Sequence, residues 1–174
     1  MIDLERNAIQ ELIKWKSSEE RKPMVLKGAR QVGKTWLMKE FGKSCYSSYV
    51  YFNLDEEEEL KSIFETNKNP HRILELLSLI VGKKILPGET LIIFDEIQEC
   101  PEALNTLKYF KEKANDYHVI AAGSLLGTLF ARPKSYPVGM VNLLDIYPLT
   151  FDEFLDAMDP VLYVYYQSIK KGQQ

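Results

Sequence analysis

Residues 24–35 read Met24-Val25-Leu26-Lys27-Gly28-Ala29-Arg30-Gln31-Val32-Gly33-Lys34-Thr35. An apolar run of the buried-strand type leads into a loop bracketed by two glycines, and Lys-Thr opens a stretch of helix formers. The spacing satisfies G-x-x-x-x-G-K-[ST] in full, and each fixed position has a physical reason. Successive backbone N–H groups can curl around a phosphate only where side chains are absent, which calls for glycine. The helix that follows turns its positive N-terminal end on the same anion. Lys34 supplies a mobile charge for the β- and γ-phosphates, and the Thr35 hydroxyl is a ligand for Mg²⁺. The residues expected to hold the nucleotide are Gly28, Ala29, Arg30, Gln31, Val32, Gly33, Lys34, Thr35 and the adjoining Trp36. Arg30 lies inside the loop without being required by this mechanism, and its plainest reading is a solvated or structural side chain.

Further along, Leu91-Ile92-Ile93-Phe94-Asp95-Glu96 is an apolar strand that ends in two carboxylates. An aspartate there can hold the Mg²⁺ shell through water, so Thr35 and Asp95 are the expected metal residues. The adjacent Glu96 suits the orientation and deprotonation of an attacking water. Gly123-Ser124 follows another apolar run, Val119-Ile120-Ala121-Ala122. If that strand is inserted between the loop strand and the acidic strand, the Ser124 hydroxyl reaches the γ-phosphate or its water; otherwise Ser124 caps the helix that begins at Leu125-Leu126. Asn53, at the end of Tyr49-Val50-Tyr51-Phe52, either holds Glu96 turned away or is a plain turn residue.

The rest of the chain alternates helical periodicity with short apolar runs, the pattern of a parallel sheet covered by helices. Helices are expected over 4–16, over 34–42 with Gly42 as the stop, after a capping Asp55, from Asn69-Pro70 to Gly82, from Pro101, at the Thr150–Glu153 capping box, and after Asp159-Pro160. Strands are expected at 24–26, 49–52, 91–94, 119–122 and 141–146. Phe41, Phe64, Phe110 and Phe130 read as core. The run Asp55 to Glu59 reads as a solvated helix start rather than a metal site. Tyr163, Tyr165 and Tyr166 on the last helix either fold back on the core or pack on something outside it.

Composition narrows the classes of function. With 22 Lys+Arg against 25 Asp+Glu the net charge is −3, which argues against a domain whose main affinity is for nucleic-acid phosphates. Lys108, Lys111 and Lys113 read as a solvated helix face. No apolar run approaches the ~20 residues of a membrane span, and the N-terminus lacks the pattern of a signal peptide. Cys45 and Cys100 form no CxxC pair, and His71 and His118 are too scattered for a zinc site. A cytoplasmic protein with no membrane partner is expected.

The chain resembles the additional-strand P-loop ATPases, specifically a prokaryotic AAA-type group whose ATPase core is often followed by a winged-helix or nuclease-like region. The resemblance rests on Lys22-Pro23 through Thr35, Asp95-Glu96-Ile97-Gln98, Ala122-Gly123-Ser124, Ser135-Tyr136-Pro137-Val138-Gly139 and Tyr147-Pro148-Leu149-Thr150-Phe151-Asp152-Glu153-Phe154-Leu155. It implies an α/β P-loop NTPase three-layer sandwich with a central parallel sheet of order 5-1-4-3-2, and ATP with Mg²⁺ as ligands. By position it implies Lys34 on the phosphates, Thr35 and Asp95 at the metal, Glu96 as base and Ser124 as sensor. Two features depart from the group: Met140 stands where a basic residue usually follows the glycine, and relatives usually continue well beyond residue 174. Residues 1–174 are accordingly expected to be one AAA-type core, the N-terminal part of a longer protein. Of the five arginines, Arg132 is the candidate finger acting on a neighbouring subunit, a role worth about 10³–10⁵ in rate. Arg6 is placed near the adenine or ribose.

The expected function is Mg-dependent ATP hydrolysis that drives a conformational change in an attached or partner domain, with self-association as one form of partnership. A slow-hydrolysing switch or scaffold is the first alternative. The ATPase part of a DNA-processing protein is the second, with any nucleic-acid contact made through a region beyond residue 174.

Overall fold

The computed structural model describes residues 7–124, 126, 139–148 and 151–171. β1 (Met24–Lys27) lies inside the sheet because all three of its apolar residues are buried and neighbours flank it on both sides. The other strands are β2 (Ser48–Asn53), β3 (Thr90–Asp95), β4 (His118–Gly123) and β5 (Asn142–Asp145). Every pairing is parallel and the order is β2-β3-β4-β1-β5, which is 5-1-4-3-2 read from the other edge. β4 is thus inserted between the loop strand and the acidic strand.

Period-two alternation sorts the strand residues to two faces. Val25, Ile92, Phe94, Val119 and Ala121 point to one cluster, with Leu60, Phe64, Leu77, Leu107 and Phe110. Those come from α3 (Glu58–Thr66), α4 (Pro70–Val81) and α5 (Pro101–Lys113). Met24, Leu26, Leu91, Ile93, Ile120 and Ala122 point to the other face, with Leu12, Trp15, Leu37 and Phe41 from α1 (Asn7–Ser17) and α2 (Lys34–Cys45). Both sheet faces are covered, which is why the strands read as near-continuous apolar runs. The last helices are α6 (Phe151–Met158) and α7 (Pro160–Lys171).

Local chemistry explains where most elements begin and end. Asn69 Oδ1 accepts from the His71 N–H at 3.0 Å, Pro70 opens α4, and Gly82 closes it with a left-handed φ of 66°. Asp159 Oδ1 accepts from the N–H groups of Val161 and Leu162 at the start of α7.

Two expectations are corrected. Gly42 does not stop α2, which continues to Cys45. A Cβ at Gly42 would sit 2.9 Å from the Cβ of Tyr49, so this glycine lets helix and strand approach closely. Nor does Asp55 cap a helix: α3 begins at Glu58 after Glu57, and the Asp55 N–H instead donates to Asn53 Oδ1 at 3.1 Å in a tight Asx turn. The Thr150–Glu153 capping box, Phe130, Arg6, Arg132 and the Ser135–Val138 segment lie outside the described residues or side chains.

Candidate functional site

Parallel strands in register bring their carboxyl ends to one edge. Asn53 stands beside Asp95, and Lys27 beside Gly123. In open α/β sheets that edge is where ligands bind. Here a cleft of ≈ 500 Å³ is lined by Arg30, Gln31, Gly33, Lys34, Thr35, Trp36, Asp55 and Glu96. The structure therefore gathers the sequence-selected loop residues and the acidic pair in one place.

Within the loop, the buried Lys34 donates through Nζ to the carbonyls of Gly28 at 2.8 Å and Ala29 at 2.6 Å. Burial lowers the Lys34 pKa from its ordinary value, and the nearby Glu96 and Asp95 charges oppose that shift. Val32 turns its side chain into the core, so only its backbone faces the loop. Gly28 is required for a reason other than phosphate access: a Cβ there would lie 2.3 Å from the Ile146 carbonyl oxygen, just past β5. Gln31 and Glu96 are the non-glycine residues with left-handed backbone among those described, at φ 63° and 50°. Each such conformation costs on the order of 1–3 kcal/mol, and strain of this kind gathers at ligand sites.

Asp95 is engaged through both carboxylate oxygens. Its Oδ2 accepts from Thr35 Oγ1 at 2.5 Å and from the Tyr51 hydroxyl at 2.9 Å, while Oδ1 accepts from the Glu96 N–H at 3.0 Å. The Tyr51 hydroxyl pKa is pushed well up by burial, with Asp95 adding to the effect. Lys39 Nζ lies 3.8 Å from the Tyr51 ring centroid. Tyr51 was not singled out by its sequence position; its one signal is a long polar-tipped side chain two residues before Asn53, within diagonal reach of the neighbouring strand end.

The donor set fits Mg²⁺. A hydroxyl and a carboxylate oxygen are hard ligands already in contact, and no described group of three His, Cys, Asp or Glu side chains could hold a metal. That leaves most of the shell to phosphate and water, as Mg²⁺ prefers.

Ser124 is buried at the end of β4, and its Oγ lies 3.5 Å from Arg30 Nε, the outer limit of a hydrogen bond. Arg30 is exposed and lines the cleft, in keeping with the reading of it as a solvated or structural side chain. Among the described residues no hydrogen bond joins Asn53 to Glu96; the Asn53 carbonyl oxygen instead accepts from the Asp55 N–H. The side chain that holds Glu96 is Gln98, whose Nε2 donates to Glu96 Oε2 at 2.5 Å. Gln98 and Tyr51 are the contacts that the sequence did not announce.

This fold and this loop define an AAA-type P-loop ATPase core. The chain belongs to the AAA domain family, whose model matches residues 20–155. A search of curated proteins finds no match. Among solved structures, the Orc1 protein of Aeropyrum pernix in complex with DNA is similar, with a TM-score of 0.53 at 17% identity, over 89% of this chain and 47% of that one. PCH-2 of C. elegans is similar with a TM-score of 0.51 at 13% identity, over 84% of this chain and 43% of that one. The chain therefore spans about half the length of these structures, and the likeness is one of fold. No described helix is long and apolar enough to cross a membrane.

Proposed function

We propose that the chain binds ATP with Mg²⁺ at Gly28–Thr35 and hydrolyses it, driving a conformational change in an attached or partner domain. The observation that carries this reading is the convergence of Lys34, Thr35, Asp95 and Glu96 at one sheet edge, joined by the Thr35–Asp95 hydrogen bond of 2.5 Å. Loop amides from Gly28 to Thr35 bind the β-phosphate, and Lys34 leaves the Gly28 and Ala29 carbonyls for the phosphate oxygens. Thr35 and Asp95 hold the metal, and Tyr51 keeps Asp95 in place by its hydrogen bond. Mg²⁺ held there would supply neutralisation of the phosphate charge. Glu96 takes the proton of the attacking water, and Ser124 with Arg30 faces the γ-phosphate end. Trp36, 40% exposed on the cleft wall, contributes to the nucleotide's binding surface.

The partner half of this reading is supported by α7, which buries none of its residues and exposes Val161, Leu162, Val164, Tyr165 and Ile169. Of the two readings of its tyrosines, the one with an outside partner is favoured, although Tyr166 packs edge-on against Phe151 of α6 at 5.3 Å. The unpaired thiols of Cys45 and Cys100 suit a reducing cytoplasm.

The test is a pair of measurements on the chain and on Glu96→Gln. The variant is expected to bind ATP–Mg²⁺ with parental affinity in calorimetry while turnover falls by about 10²–10⁴. Equal turnover by both proteins removes Glu96 from the base role.

A further inference from the structure

We propose that Gln98 is the positioning residue that sets the orientation of Glu96. The inference rests on the base role given to Glu96 above. It begins with the backbone: Glu96 has left-handed φ and ψ of 50° and 44°, and a short 3₁₀ turn over Ile97–Glu99 follows, pinned by the buried Ile97. That turn folds residue 98 back over residue 96. Gln98 Nε2 then donates to Glu96 Oε2 at 2.5 Å, with Glu99 Oε1 a longer second acceptor at 3.4 Å, and among the described residues no other hydrogen bond is made to the Glu96 side chain. The amide cannot be reversed, because its carbonyl would then face the carboxylate.

The other half of the amide shows what this arrangement costs. Gln98 Oε1 is buried, and no described residue donates to it. It lies against the end of β4, where a Cβ on Gly123 would come within 2.5 Å of it. A buried acceptor left without a donor disfavours the folded state. An apolar side chain of the same length would pack here without that penalty, so stability alone does not explain a glutamine. Its N–H does: it fixes one carboxylate oxygen and leaves the other for the water. The amide also lies beside the β4 end that carries Ser124, so Glu96 is oriented from the strand that senses the γ-phosphate end. Asn53, at the end of the neighbouring strand, makes no described hydrogen bond to Glu96; its carbonyl oxygen accepts from the Asp55 N–H.

Three readouts on the parent, Gln98→Met and Asn53→Ala test the assignment: single-turnover ATP hydrolysis, the Kd of a slowly hydrolysed ATP analogue, and the melting temperature without nucleotide. Gln98→Met keeps length and removes both the donor and the unpaired carbonyl. It is expected to lose about tenfold or more in rate with Kd changed less than about twofold, the signature of an interaction that matters after binding. Its melting temperature is expected to stay level or rise. Asn53→Ala is expected to keep the parental rate. The proposal is overturned if Gln98→Met keeps its rate, if its melting temperature falls along with the rate, or if Asn53→Ala loses as much. Glu96→Gln, run alongside, separates the two levels. Parental turnover in Glu96→Gln defeats the base role itself; lost turnover there with an unaffected Gln98→Met defeats only the role of Gln98.

Discussion

The two ends of β4 carry buried polar groups of opposite character. At the amino end, His118 Nδ1 and the Tyr46 hydroxyl share a hydrogen bond of 2.7 Å, with Trp15 edge-on to the His118 ring at 6.1 Å and Phe41 edge-on to Tyr46 at 5.5 Å. Trp15 Nε1 donates to the Lys22 carbonyl at 2.7 Å. Aromatic rings wrap a polar pair that is satisfied on the spot. At the carboxyl end, Gly123 abuts an amide oxygen without a donor, Lys34 rests on loop carbonyls, and Gln31 and Glu96 hold left-handed backbone. Polar burial at the first end holds the layers together. At the second, the Lys34 ammonium rests on loop carbonyls that the oxygens of a ligand would replace, while the Gln98 carbonyl stays an acceptor without a donor.

Three measurements would break or sharpen that contrast. The largest effect is expected from Lys34→Ala at the carboxyl end. Losing a charge-assisted contact to phosphate should weaken ATP–Mg²⁺ binding by about 10–100-fold and reduce the rise in melting temperature that the nucleotide gives. Unchanged nucleotide stabilisation would show that the loop does not hold the phosphates. Next, Tyr46→Phe at the amino end leaves His118 Nδ1 buried without its partner. Chemical denaturation should show a loss of about 1–3 kcal/mol, and calorimetry an unchanged affinity for ATP. A matching fall in affinity would mean that the two ends are not separable.

The smallest effect is one of pH. Burial, aided by Arg21 and Lys16, pushes the His118 pKa from 6.5 down to about 4. The unfolded chain therefore binds this proton more readily than the native one between those values. The contribution of His118 is complete above about pH 6.5 and is lost progressively as pH falls toward about 4. Melting temperatures across that window should fall more steeply for the parent than for His118→Gln, which keeps an acceptor for Tyr46. Parallel curves would count against a buried neutral imidazole.

What the sequence made legible was whatever is contiguous along the chain. The loop from Gly28 to Thr35 and the Asp95-Glu96 pair carry their chemistry in adjacent residues, and the strands before them are marked by uninterrupted apolar runs. The sheet order came through the family resemblance, since period and spacing do not say which strand lies beside which. Contacts that depend on register were hidden. Tyr51 meets Asp95 only because β2 and β3 align Asn53 with Asp95, and Gln98 meets Glu96 only because of a left-handed residue that sequence preferences argue against. Glycine misled in one instance: Gly42 looks like a helix stop, yet it answers to a strand that arrives from elsewhere in the chain.

The Gly28–Ile146 junction has a mechanical consequence. The Ile146 N–H donates to the Lys27 carbonyl at 2.7 Å, and its own carbonyl oxygen fills the space where a side chain on Gly28 would stand. The first residue of the loop is thus clasped by the residue that follows the edge strand β5, and α6 starts downstream at Phe151. The loop cannot shift toward β5 without displacing that backbone, so the position of the phosphate loop is tied to the chain that leaves the sheet edge.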